Sequence, residues 1–174
     1  MNLLSPRLSL RSFQQTDITA NYISWLNDAY VTRFSNQRFQ RHTFDSCSDY
    51  LKTFLGSANS FLLIERSDNQ QSIGTATVYR DINHGNANIG LLVGERSSWR
   101  QGFGCEAWQV ILETVLLESG MRKVCGGTAR LNHAMVRIME QSDMELEAVF
   151  ADHELINGHP VDILHYAKFA VKDD

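Results

Sequence analysis

Proline is nearly absent from this chain: Pro6 and Pro160 are the only two in 174 residues. With so few breakers, no internal repeat and no low-complexity tract, regular elements joined by short turns are expected. Cysteine is scarce as well. Cys47, Cys105 and Cys125 are odd in number, and no two form a CxxC pair. That argues against a disulfide framework and against a zinc site, so no metal is expected. No apolar run approaches the ~20 residues of a membrane span. The opening MNLLSPRLSL turns polar too early for a secretory signal. A cytoplasmic protein with reduced thiols and no membrane partner is predicted. Positive charge is in deficit too, with 16 Lys and Arg against 20 Asp and Glu, a net charge of −4. General nucleic-acid binding needs a positive field and is not expected.

What is present is a globular composition. Apolar residues make up 43% and charged residues 21%, which suits one domain over residues 1–174 with a sizeable core. Arg7–Ser12 alternates as a short strand. Thr16-Asp17 reads as a helix start, with Ile18, Tyr22, Ile23 and Leu26 as the apolar stripe to about Asn27. Phe44–Leu55 reads as a second helix, stopped by Gly56. Phe61–Arg66, Ile73–Arg80 and Ala87–Val93 read as three strands in a meander, separated by polar turns. Gly104, Ala107, Trp108, Ile111, Leu112 and Val115 then recur at helical spacing, a strongly amphipathic helix ended by Gly120. A strand follows at Lys123–Thr128, then a helix capped by Asn132 with Met135, Ile138 and Met139 inward. Met144, Leu146, Ala148 and Phe150 alternate with glutamates, as in a half-buried strand. Asn157-Gly158 is a hairpin signal, and Val161–Val171 is the last strand. The order is β-α-α-β-β-β-α-β-α-β-β, a mixed α/β (α+β) fold with seven strands rather than a doubly wound sheet.

The stretch WRQGFGCEAW, Trp99–Trp108, carries the chemistry. A strand, NIGLLVGE, leads through RQGFG into the long helix. The first turn of a helix exposes N–H groups with no intrahelical partner, and its dipole favours negative charge. Gly102 and Gly104 would let the backbone approach a phosphate closely. Two glycines can also do no more than shape a tight turn. A nicotinamide site of the doubly wound type needs an acid after the next strand. CGGTARLN offers none, although Arg130 suits a 2′-phosphate.

The third reading is coenzyme A. Asn88–Met144 resembles the acetyl-CoA-binding core of the GCN5-related N-acetyltransferase (GNAT) superfamily. Its Gln/Arg-x-x-Gly-x-Gly/Ala motif maps onto Gln101–Glu106, with Glu106 departing from the usual small residue. The Gly-aromatic-Gly-x-Glu-Ala form, RLSLRSFQQTDITANYISWLND at the start and LNHAMVRIMEQSDM later resemble the branch of ribosomal-protein N-terminal acetyltransferases. The resemblance implies a central, mostly antiparallel twisted sheet of about seven strands, splayed in the middle, and acetyl-CoA as donor. Leu91, Leu92 and Val93 would pair with pantetheine. The amides of Gln101, Gly102, Phe103, Gly104 and Cys105 would hold the diphosphate, and Asn132 would touch the cofactor arm or simply cap its helix. The Val93 amide would steady the developing oxyanion. Relatives place a thiolate acid at positions matching Met139 or Met135, and methionine cannot donate a proton there. Tyr166, a water or direct release to solvent is left. Glu154, in HELING, matches the branch's base, and it points inward if no bulge breaks the strand's parity. Glu95 is a second candidate.

The resemblance also places the link VTRFSNQRFQRHT at the acceptor mouth. It carries Arg33, Arg38, Arg41 and His42, and arginine suits phosphate or carboxylate. The acceptor is therefore read as a small anionic amine, such as a nucleotide-linked amino sugar, or else as a protein N-terminal amine. A homodimer is compatible with the sequence. A rival reading, prompted by Met135 and Met139, is a coenzyme A-binding sensor without transfer activity.

Overall fold

The computed structural model describes residues 1–171. Its elements are β1 (Asn2–Leu4), β2 (Leu8–Ser12), α1 (Ala20–Asn27), α2 (Phe44–Lys52), β3 (Ser60–Arg66), β4 (Ser72–Asp81), β5 (Asn86–Val93), α3 (Phe103–Leu116), β6 (Lys123–Ala129), α4 (His133–Gln141), β7 (Glu145–Ile156) and β8 (His159–Phe169). Eight strands make one sheet in the order β1-β2-β3-β4-β5-β6-β8-β7. The expected mixed fold and element order hold, with one strand more than the predicted seven. β1 is too short for periodicity to reveal, and it exists by pairing Leu3 with Leu10 of β2. The start of α1 also moves, because Thr19 caps it. Asp17 instead binds Arg11 and the Gln14 amide.

Alternation along the strands sends side chains to two cores. On β3, Leu62 and Ile64 join Ala107, Trp108, Ile111 and Val115 of α3. Phe61 and Leu63 face the other way and pack with Tyr22, Trp25 and Leu51 under α1 and α2. Helices thus cover both faces of the central strands. Among the described residues, no helix is long and apolar enough to cross a membrane.

Every strand pairing is antiparallel except β5 with β6. That parallel pair spans only Asn86–Asn88 against Lys123–Cys125. Beyond Asn88 the two strands part, and the sheet opens into the cleft that defines the site.

The C-terminal hairpin departs from expectation. Asn157 (φ 52°) and Gly158 (φ 80°) form its turn, as a two-residue Asn-Gly loop should. However, β7 is the sheet's edge strand and is exposed along most of its length. Leu146 and Phe150, expected inward, are 50% and 45% exposed. Register shifts between Leu146 and Ala148, and between Phe150 and Glu154, break its parity. Asp152 sits at φ 50° within the second irregularity. Counting by twos from Met144 therefore does not carry to Glu154.

Candidate active site

The donor side of the cleft is built from main chain. The Gly94 N–H donates to the Ile73 carbonyl, and Gly74 pairs with Val93. Hydrogen bonding alternates along an antiparallel ladder. Leu92 and Gly90 therefore turn their polar groups to β4, while those of Leu91 and Val93 face the edge that β6 has left open. The Val93 carbonyl is met there by the Trp99 indole N–H at 2.8 Å. The strand then passes through a single 3-10 turn, Arg96–Ser98, into the turn that starts α3.

Gly102 caps α3 in the left-handed region at φ 83°, where a Cβ would be strained. The first intrahelical bond runs from Glu106 N–H to Gly102 C=O, 3.1 Å, so the amides of Phe103, Gly104 and Cys105 have no partner within the helix. A Cβ on Gly104 would come within 3.2 Å of the Ile138 side chain and 3.5 Å of that of Val93. The glycine thus keeps open a small cradle between α3, α4 and the freed edge of β5. Unpaired amides beside an unpaired strand edge are the donor set that a diphosphate joined to an amide-bearing arm requires, and these residues fit coenzyme A.

Glu106, the residue at odds with the motif, has a different task. Its carboxylate accepts from the Ser5 hydroxyl (2.8 Å), the Arg7 amide (2.8 Å) and Arg7 Nε (2.7 Å). Burial alone would raise its pKa, but these hydrogen bonds outweigh that and hold it below the ordinary glutamate value. Arg7 Nη1 also donates to the Gln101 carbonyl at 2.9 Å, and the Gln101 side-chain amide donates to Ser97 O. Gln101 shapes the turn and does not itself line the cleft.

The other side of the cleft is built from side chains. One cleft of about 1260 Å³ runs from Gly102–Cys105 and Leu91–Val93 to Tyr22, His42 and Tyr50. Arg33 lies over the rings of Tyr30 (4.1 Å), Phe34 (4.7 Å) and Trp99 (5.6 Å). Tyr30 and Trp99 stack with centroids 5.6 Å apart. His42 is buried, with Nε2 3.2 Å from the Gln37 carbonyl. Its backbone is held on both sides by the Asn27 side chain. Arg100 and Arg137 also line the cleft, whereas none of the described lining residues is Asp or Glu.

The sequence-predicted residues separate into two groups. Leu91, Leu92, Val93, Gly102, Phe103, Gly104, Cys105, Asn132, Arg33 and His42 meet in the cleft. Asn132 caps α4 through Met135 N–H and donates to the Thr128 hydroxyl. Arg38, Glu154 and Tyr166 lie outside the lining. Arg38 lies 3.8 Å from Glu154 as an ion pair and donates to Leu155 O. The Tyr166 hydroxyl donates to Glu140 at 3.2 Å from within the core, and burial followed by that carboxylate raises its pKa. Arg41 is exposed, and Glu95 caps the 3-10 turn through Ser97. Arg130, weighed for a 2′-phosphate, binds Asp162 at 2.9 Å. Met139 is fully buried and Met135 lines the cleft. Burial, and then Glu106, raises the Cys105 pKa, keeping it a thiol. Sequence reasoning missed Tyr30, Trp99 and Arg7. Trp99 stood in the quoted stretch, but its indole bond to Val93 has no local signature. Arg7 has none either, because its partner is 99 residues away.

Comparison with known proteins agrees with this geometry. The family model for the acetyltransferase (GNAT) domain matches residues 7–145. The chain belongs to the GNAT acetyltransferase family. A search of curated proteins finds no match. Among solved structures, a GNAT-family acetyltransferase from Bacillus anthracis superposes with TM-score 0.83 at 18% identity, covering 98% of this chain and 99% of its own. A RimL ribosomal L7/L12 alpha-N-protein acetyltransferase in complex with coenzyme A gives 0.85 at 16% identity, with 97% and 98% covered. The spermidine N-acetyltransferase from Vibrio cholerae, in complex with coenzyme A and spermine, gives 0.83 at 16%, with 95% and 97% covered. At these identities the likeness is one of fold.

Proposed function

We propose that this protein transfers an acetyl group from acetyl-CoA to the primary amine of a small anionic acceptor, such as a nucleotide-linked amino sugar. The observation that carries the reading is the freed polar edge of Leu91 and the Val93 N–H beside the unpaired amides that open α3. Acetyl-CoA would supply an activated acetyl thioester. Leu91 and Val93 would bind its amide-bearing arm, and Phe103, Gly104 and Cys105 its diphosphate. The Val93 N–H, facing the open edge, is the donor suited to negative charge growing on the thioester oxygen.

The acceptor reading rests on the cleft's charge. Arg33, Arg100 and Arg137 line it without a carboxylate among the described residues. A polycation such as spermidine would meet like charge there, while an anion would be drawn in. A peptide's N-terminal amine is accommodated only if an acidic group follows it. Among the described residues His42 is the one imidazole in the lining, and an imidazole there is suited to receive the amine's proton. Glu154, matched by the family resemblance to that role, is engaged by Arg38 outside the cleft.

The direct test is acetyl-CoA turnover against three acceptors side by side: a nucleotide-linked amino sugar, an acidic N-terminal peptide and spermidine. Turnover on the first, with spermidine at least tenfold poorer in kcat/KM, is expected. Equal or better use of spermidine would remove the acceptor reading, and failure to bind acetyl-CoA would remove the donor reading.

A further inference from the structure

The turn that would hold the diphosphate is not self-supporting. Arg100 and Gly102 both sit at positive φ, 61° and 83°. A non-glycine residue in that region is held at a cost and needs outside support. The segment is braced from the hairpin between β1 and β2. Arg7 reaches both sides of the helix cap: Nη1 binds the Gln101 carbonyl before it, and Nε with Nη2 binds the Glu106 carboxylate one turn after it. Its Nη2 lies 3.3 Å from where a Gly102 Cβ would stand. The guanidinium also lies over the Phe103 ring at 4.6 Å. Ser5 and the Arg7 amide fill the remaining acceptor positions of Glu106.

We infer that Arg7 and Glu106 are positioning residues for the phosphate turn, a strut that fixes the amides of Phe103, Gly104 and Cys105 in the orientation that grips a diphosphate. The inference rests on the donor reading above. A planar fork suits this task because one side chain must span a carbonyl and a carboxylate at once. Lysine keeps the charge but not the fork. Glu106 is otherwise an odd choice, since a carboxylate one turn from an anion site should repel the ligand. Its presence makes sense if the geometry it secures outweighs that repulsion.

This conflict gives the test its sign. Acetyl-CoA binding is measured by calorimetry on the full chain and on Glu106→Gln and Arg7→Lys. If Glu106 acted only as a nearby charge, Glu106→Gln would tighten binding. The strut predicts the reverse, about fivefold weaker binding in each variant. S-acetylpantetheine, which lacks the phosphates, is followed at millimolar concentration by saturation-transfer NMR and should bind both variants within twofold of the unaltered chain. Unchanged or tighter acetyl-CoA binding by Glu106→Gln overturns the inference. Equal loss of both ligands overturns it as well, since that reports general loosening. If the unaltered chain does not bind acetyl-CoA, the donor reading fails and takes the strut with it. If only the variants behave otherwise, the strut alone fails. Arg7→Lys keeps a cation beside the Phe103 ring, so it gives a result even if Glu106→Gln folds poorly.

Discussion

The two sides of the cleft are made of different materials. On the donor side the working groups are main chain: the amides that open α3 and the freed edge of β5. Side chains there matter chiefly by being absent, as at Gly102 and Gly104. On the proposed acceptor side the groups at hand are side chains from a long link and a turn: Arg33 between Tyr30, Phe34 and Trp99, with His42 deeper in. A main-chain site is common property of a fold, because any sequence that keeps the glycines and the splay retains it. A side-chain site can be rebuilt without disturbing the sheet. That is why the family match over residues 7–145 bears on the main-chain side of the cleft and leaves the acceptor to this chain's own residues.

The sharpest way to break this contrast is to put a side chain where the donor side needs none. Gly104→Asp should abolish useful acetyl-CoA binding, with at least a hundredfold loss by calorimetry, about 2.8 kcal/mol. An acid in the first turn of a helix favours the helix itself, but a Cβ here presses on Ile138 at 3.2 Å, so the thermal midpoint should fall modestly while the fold persists. Binding within tenfold of the unaltered chain would mean the amides are not the phosphate grip. On the acceptor side, His42→Gln should leave acetyl-CoA affinity alone and lower kcat about a hundredfold, within the usual range for a lost general base. Steady-state kinetics at saturating acetyl-CoA checks this. A kcat within about threefold of the parent assigns the proton to another group.

The same contrast explains what could be read from the sequence. The amphipathic run from Gly104 to Val115 and the glycines before it belong to one continuous segment, so periodicity and spacing place the helix and its anion-binding end together. The resemblance then implies a splay beside Leu91–Val93, which no local pattern encodes, and the structure begins it after Asn88. β1 escapes notice because three residues show no period and owe their conformation to Leu10 across the turn. β7 misleads for the opposite reason. Its alternation is clear, but alternation reports a possible buried face, and an edge strand with two register breaks does not bury one. The acceptor mouth was legible as a cluster of cations only. Which of them face the cleft is settled by contacts such as Trp99 with Tyr30 and Arg38 with Leu155, made between residues 69 or more positions apart.

Arg33→Glu sharpens the comparison at lower cost to the enzyme. Reversing one charge at the mouth should lower kcat/KM for an anionic amine about tenfold while the acetyl-CoA dissociation constant stays within twofold. The loss should shrink as salt is raised, since charges near the surface are screened. A salt-independent loss would point to collapse of the stack with Tyr30 and Trp99 instead.

The smallest expected effect is at Glu154, and it is informative because it is small. Its carboxylate lies 3.8 Å from Arg38, with 29% of its side chain exposed, and it does not line the cleft. Glu154→Gln should therefore change kcat by less than about twofold, far below the 10²–10⁴ associated with removing a general base. The stability change should stay within about 1 kcal/mol, the ordinary range for a partly exposed ion pair. Arg38 keeps its hydrogen bond to the Leu155 carbonyl, so its charge is not stranded. A steady-state assay of the Glu154 and His42 variants under one set of conditions separates the two assignments. If Glu154→Gln proves the more damaging, the link and the C-terminal hairpin must rearrange when acceptor binds, and proton transfer must then be sought across that moving contact.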